Sequence, residues 1–371
     1  MKKDELIDRI AAGKLPRRDF VKLLSAAGLA LTTLPSTAKQ ALAASTDNAV
    51  SFTWSGYDVP QFFKAYTDKH GKPPEMALIS TPEDALSKIR GGFKVDIAHP
   101  YSSNVARWNE ADVLQPIDTA RLSHWGDIYD VLKTLPDSVD KDGKQLFLPV
   151  DWGRVSIGYR TDMVKLEKSS WSLLWDKSLE GRVAMIGDPA MAAPIAGLYL
   201  ALKDPFNPDD AQYEAIVNAL REQRDLSRFF WDSGANIEQA LMSGEVVAAP
   251  IWNGSYAVVQ GQGAPVAMMD PEEGSLCFVA GLTFIKGAEH TDSAYDLMDA
   301  ILSPETGKYL IETYGFGHSN RKAFDLVAPE VLTKNALPKN VEAFFSKGVL
   351  LKAFSRNEQF AKVFQEIKSG F

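Results

Sequence analysis

The order of elements along this chain predicts an α/β protein of two lobes joined by crossing hinge strands, a clamshell. Three observations lead there. A strand-helix-strand-helix-strand rhythm runs from Ser51 to Ala98, a second α/β set begins near Val183, and two long apolar segments, 146–159 and 276–285, are long enough to pass from one lobe to the other.

In the first set, Ser51-Phe52-Thr53-Trp54 reads as a strand and Pro60 to Lys69 as a helix. Met76 to Ile79 is the next strand, and Thr81 caps a helix from Pro82 to Arg90. Val95-Asp96-Ile97-Ala98 closes the set at His99-Pro100. A mostly parallel sheet binds ligands beyond the carboxyl ends of its strands. Trp54-Ser55-Gly56-Tyr57 and His99-Pro100-Tyr101-Ser102 occupy those ends. The segment Leu146 to Tyr159, broken by Gly153, is read as the first crossing strand. In the second set, Trp171 to Trp175 and Ala190 to Leu202 are helical, Val183 to Ile186 and Val246 to Trp252 are strands, and Leu276 to Ile285 crosses back. The last third is helical, with Ala294 to Leu302 preceding Ser303-Pro304-Glu305. The expected lobes are 44–153 with 279–318, and 154–278 with 319–371.

The N-terminus carries an address. Pro16-Arg17-Arg18-Asp19-Phe20 precedes an uncharged run from Leu23 to Leu34 and the small-x-small site Ala41-Leu42-Ala43, the layout of a twin-arginine export signal occupying 1–43. The run is too short to span a bilayer. Cutting after Ala43 removes eight basic and four acidic side chains, so the mature chain carries a net −12 against −8 for the whole. That charge repels nucleic acid and anionic lipid. The only cysteine, Cys277, lies in an apolar run and reads as an inert core thiol; no later cysteine offers a lipid anchor. The expected protein is a freely diffusing periplasmic monomer.

No His-Glu-x-x-His, nucleophile elbow or cysteine-histidine cluster is present, and Gly261-Gln262-Gly263 lacks the third glycine of a dinucleotide site. Neither cofactor nor metal is expected. A ferric receptor would use adjacent tyrosines, and the chain has no Tyr-Tyr pair. An exported enzyme remains the competing class.

An ordered series of motifs resembles the periplasmic spermidine/putrescine-binding proteins of bacterial ABC importers. The series is Trp54-Ser55-Gly56-Tyr57, Asp96 with His99-Pro100, Leu148-Pro149-Val150-Asp151-Trp152-Gly153, Ser170-Trp171, Gly244-Glu245-Val246, Ile251-Trp252-Asn253-Gly254-Ser255 and Thr313-Tyr314-Gly315-Phe316. The resemblance covers the mature chain. It implies a type II periplasmic-binding-protein clamshell, with a membrane permease as partner and a small cationic solute as ligand. It places Trp54 and Tyr57 at aromatic positions of the first lobe, Trp252 at a cleft tryptophan, Phe278 where a tryptophan is usual, Phe316 where a tyrosine is usual, and Asp188 at an ammonium-binding aspartate. Tyr101 and Trp152 complete the expected aromatic set.

Two departures stand out. Met191 occupies a position where the family keeps a glutamate, and Ala280 one where it keeps an aspartate. An ammonium buried without a partner loses several kcal/mol, so a solute with one positive head is expected unless Asp58, Asp151 or Glu75 substitutes. Asp58 is the leading substitute, its alternative role being a helix cap before Pro60. Restoring both acids is expected to raise polyamine affinity. Arg154, beside Trp152-Gly153, would suit an amino acid or phosphonate if it faced the cleft; the alternative is an ion pair to an acid of the opposite lobe.

Overall fold

The computed structural model describes residues 47–370 except Lys339. The export segment 1–43 lies outside the described residues.

Three parallel strands, β1 (Val50–Thr53), β2 (Glu75–Leu78) and β3 (Ile97–Ala98), form one end of the sheet, with β1 in the middle. The short β4 (Leu114–Gln115) joins them through a later strand. Between them lie the helices α1 (Lys64–His70) and α2 (Pro82–Arg90). The start of α2 is locally determined. The Thr81 hydroxyl accepts from the Asp84 amide, Pro82 supplies a helical φ without needing a partner, and Glu83 and Asp84 face the positive end of the dipole.

The 13-residue β5 (Leu148–Arg160) then crosses to the second lobe. There β6 (Val183–Ile186) lies parallel between β7 (Ser227–Trp231) and β8 (Ala248–Trp252). β8 and the short β9 (Val266–Met268) run antiparallel to the far half of β5. Strand β10 (Leu276–Ile285) returns antiparallel to β5 over most of its length and ends against β3. The two-residue β11 (Gly317–His318) and β12 (Val349–Leu350) add to β5 and β10. The second lobe's helices include α3 (Pro189–Tyr199), α4 (Asp210–Leu226) and α5 (Asn253–Gly261). α4, not among the expected elements, opens with a reciprocal capping box between Asp209 and Gln212.

Two apolar cores result, one per lobe, meeting at β5 and β10. Phe52, Trp108 and Val150 belong to the first; Val155, Trp171 and Leu241 belong to the second. The stretch 319–371, assigned above to the second lobe, divides between them. Ala323, Val327, Leu337 and Val341 pack in the first core, and the chain joins the second around Val349 and Leu351. Helix α6 (Pro304–Tyr314), capped by Ser303, ends at Gly315, whose φ of 71° suits a residue without a Cβ.

Candidate functional site

A groove of about 1320 Å³ separates the lobes. Pro82, Glu83, Tyr101 and Arg107 line it from the first lobe; Asp188, Met191, Phe354 and Glu358 line it from the second. Arg107 faces Glu358 across it at 3.6 Å.

A line of aromatic rings runs along the strand ends at the hinge. Trp54 packs on Tyr101 at 5.4 Å, Tyr101 meets Phe278 edge-on at 6.0 Å, and Phe278 meets Phe316 edge-on at 5.5 Å. Tyr57, on the loop after β1, stacks on Tyr314 at 5.9 Å and meets His99 edge-on at 5.0 Å. Trp54, Tyr57, Tyr101, Phe316 and Trp252 are half-buried. Trp252 ends β8 on the second lobe, braced edge-on by Trp231 at 4.9 Å. Thus Trp54 sits on the rim of the first core and Trp252 on the rim of the second. Phe278 itself is buried and bridges Tyr101 to Phe316.

Two carboxylates flank these rings. Asp188 caps α3 by accepting from the Ala190 amide at 2.9 Å and is exposed along the groove. The enclosing walls desolvate it and hold its carboxyl above the usual range, against the pull of that amide. Asp151 is 2% exposed. Its Oδ2 accepts from the Tyr57 hydroxyl at 2.9 Å and its Oδ1 lies 3.2 Å from His99 Nε2. His99 Nδ1 lies 3.3 Å from the Thr53 hydroxyl. Burial first, and then Asp151, raises the Tyr57 pKa well above its ordinary value. The Tyr101 phenol is likewise raised by burial, then by Asp188 and Asp151. Among the described residues, Asp151 has no lysine or arginine partner, and Asp188 has no ion pair within 4 Å. The groove as a whole carries both signs, Arg107, Lys352, Arg356 and Lys362 beside Glu83, Glu110, Asp188, Glu358 and Glu366; what suits a cation is local, the ring faces together with Asp151 and Asp188.

Several expectations are corrected. Trp152 is not a cleft residue. It is 0% exposed, stacks on Phe324 at 6.1 Å, meets Phe344 at a tilt at 5.1 Å, and donates from Nε1 to the His318 carbonyl. Side chains alternate along a strand. Asp151 and Gly153 face Tyr57 and Phe278, so Trp152 and Arg154 point to the back of the hinge. There Arg154 pairs with Asp270, an acid of its own lobe, and lines a separate cavity of about 690 Å³. Asp58 caps no helix: it is exposed and accepts from the Gly56 amide at 3.0 Å, closing the turn at Gly56, whose φ is 95°. Glu75 opens β2, at the opposite end of the strand from the binding edge. Of the three substitutes considered, Asp151 is the one tied to a cleft aromatic. Met191 is 2% exposed and packs in the second core at the groove's edge. Tyr314, which donates to the Gly56 carbonyl at 2.8 Å and braces Tyr57, is a site residue that the motif Thr313-Tyr314-Gly315-Phe316 contains but does not by itself single out.

A two-lobed α/β receptor with an aromatic, acidic hinge cleft defines the class: a solute-binding protein. The model of the bacterial extracellular solute-binding proteins matches residues 61–339, and the chain belongs to that family. It is 24% identical over 355 residues to the spermidine/putrescine-binding periplasmic protein of Escherichia coli K12, covering 94% of this chain and 98% of that one. It is 26% identical over 346 residues to the putrescine/agmatine-binding protein of Pseudomonas aeruginosa PAO1, covering 87% and 90%. The spermidine/putrescine ABC transporter substrate-binding protein of Streptococcus pneumoniae superposes with a TM-score of 0.73 at 19% identity, covering 88% and 99%. The fold is therefore the type II clamshell, and the family places the protein in the periplasm. Among the described residues no helix is long and apolar enough to cross a membrane.

Proposed function

We propose that this protein is the periplasmic receptor of an ABC importer and captures a small cationic amine. One observation carries the reading: the half-buried Tyr101, packed on Trp54, lies near both Asp188 and Asp151, neither of which is neutralised by a lysine or arginine within 4 Å. An amine supplies the missing positive charge, and its methylenes cover the rings. Binding energy goes into holding the lobes together, and the closed form docks on a membrane permease. No catalysis belongs to this reading. Export by the twin-arginine route, from the paired Arg17-Arg18, and action as a monomer do belong to it. The names of the relatives, which bind spermidine, putrescine or agmatine, support an amine.

The test is a thermal-shift and tryptophan-fluorescence screen of residues 44–371 with putrescine, spermidine, agmatine, butylamine, choline, γ-aminobutyrate and aminoethylphosphonate. A ligand at 100 times its Kd stabilises the fold by about 2.7 kcal/mol. Shifts with the amines and none with the phosphonate are expected. A shift with the phosphonate alone would overturn the reading.

A further inference from the structure

We propose that Asp151 is a positioning residue that sets the ligand's head-group chemistry through Tyr57. It rests on the cation reading above and goes beyond it. Asp151 selects an amine or guanidinium that donates N–H bonds over a quaternary ammonium of equal charge.

The chemistry follows from counting protons. A phenol has one hydrogen to donate. The Tyr57 hydroxyl gives it to Asp151 Oδ2 at 2.9 Å, a charge-assisted bond with a buried acceptor. The phenol oxygen then has only lone pairs to offer. Tyr314, stacked on Tyr57, has made the same commitment, donating its proton to the Gly56 carbonyl at 2.8 Å. Tyr314 also meets the Tyr309 hydroxyl, so the acceptor left for a solute is the Tyr57 oxygen. An ammonium or guanidinium meets that need. A carboxylate or a quaternary ammonium, lacking N–H, gains no bond from that oxygen.

The arrangement is rigid. Asp151 sits mid-strand in β5, with Ala280 opposite it on one side and His318 on the other. His99 holds the second carboxylate oxygen, and the Thr53 hydroxyl meets the other nitrogen of that ring. Phe62, His99 and Tyr314 surround the Tyr57 ring. Neither partner is free to turn away. An amide at 151 would change the chemistry without changing the shape: its NH2 group can donate to the phenol oxygen, occupying a lone pair and releasing the hydroxyl proton.

The experiment titrates putrescine and its hexamethyl bis-quaternary analogue, equal in charge and chain but without N–H, into wild type, Asp151→Asn and Tyr57→Phe. Wild type is expected to prefer putrescine at least tenfold. Both variants should cut that preference at least fivefold, because the acceptor is altered or removed; a purely structural role would weaken both ligands alike. If Asp151→Asn fails to fold, Tyr57→Phe carries the test alone. A preference unchanged within twofold in the folded variants overturns the role of Asp151. A wild type that binds neither cation overturns the cation reading itself, and this inference with it.

Discussion

Ala280 lies directly opposite Asp151 where β10 pairs with β5, and both are buried, at 3% and 2% exposure. Ala280 also bridges to Tyr101. A carboxylate at 280 would therefore face a carboxylate already committed to Tyr57 and His99. At about 5 Å and an effective dielectric near 20, that repulsion is about 3 kcal/mol.

Ala280→Asp alone is accordingly expected to destabilise the protein. The like charge raises the folded pKa of one of the two acids, so the loss is full at pH 7–8 and recedes as pH falls through that raised value. Asp151→Asn in the same chain should restore the melting temperature at neutral pH. Urea unfolding of the single and double variants at pH 7.5 and 5.5 checks this; a fully stable single variant would refute the pairing argument.

Trp252 is the second lobe's main ring, and Trp231 holds its edge. Trp252→Ala should weaken putrescine binding at least tenfold, about 1.4 kcal/mol. Trp231→Phe should have a smaller effect, because it loosens the brace while leaving the indole of Trp252. Titration calorimetry ranks them, and equal affinity in Trp252→Ala and wild type would remove Trp252 from the site.

The parts legible in the sequence are those decided by neighbours in the chain. Thr81-Pro82, Asp188-Pro189 and Ser303-Pro304 each bring a cap and its helix start together, and all three open helices. The alternation of strands and helices gave the two lobes for the same reason. Trp152 was misread because both faces of β5 are buried, so an apolar run carries no phase to tell front from back. The role of Asp151 was open because its partner Tyr57 is 94 residues away. Trp231 went unread because Ser227–Trp231 was not recognised as a strand, and only the sheet brings it under Trp252.

Gly153 marks a close approach in the hinge. A Cβ there would stand 2.3 Å from Asn253 Oδ1 and 2.7 Å from the Phe278 ring. Asn253 accepts from the Arg154 amide and donates to the Gly315 carbonyl, so it ties β5 to the loop before β11. Gly153→Ala should cost about 1–3 kcal/mol by overpacking and weaken putrescine binding as Phe278 shifts. Gly126→Ala, with nothing within 4 Å of its Cβ and no positive φ, is the control expected to be near neutral. Equal melting temperatures for the two variants would show that the hinge yields freely.

His318 sets part of the acid sensitivity. It is 0% exposed, its Nε2 donates to the Ile301 carbonyl at 3.1 Å, and its Nδ1 accepts from the Asn320 amide at 3.1 Å. That pattern needs the neutral ring, and burial pushes its pKa down to about 4. The folded value lies below the unfolded one, near 6.5, so the unfolded state binds more protons between them. Stability from this residue is complete above about pH 6.5 and declines toward pH 4, by up to about 3 kcal/mol. His318→Gln should be less stable at pH 7, because the ring also packs against Gly307, yet should lose less on going to pH 4.5. Urea unfolding at both pH values measures the difference; an equal acid loss in wild type and variant would assign the sensitivity to other groups.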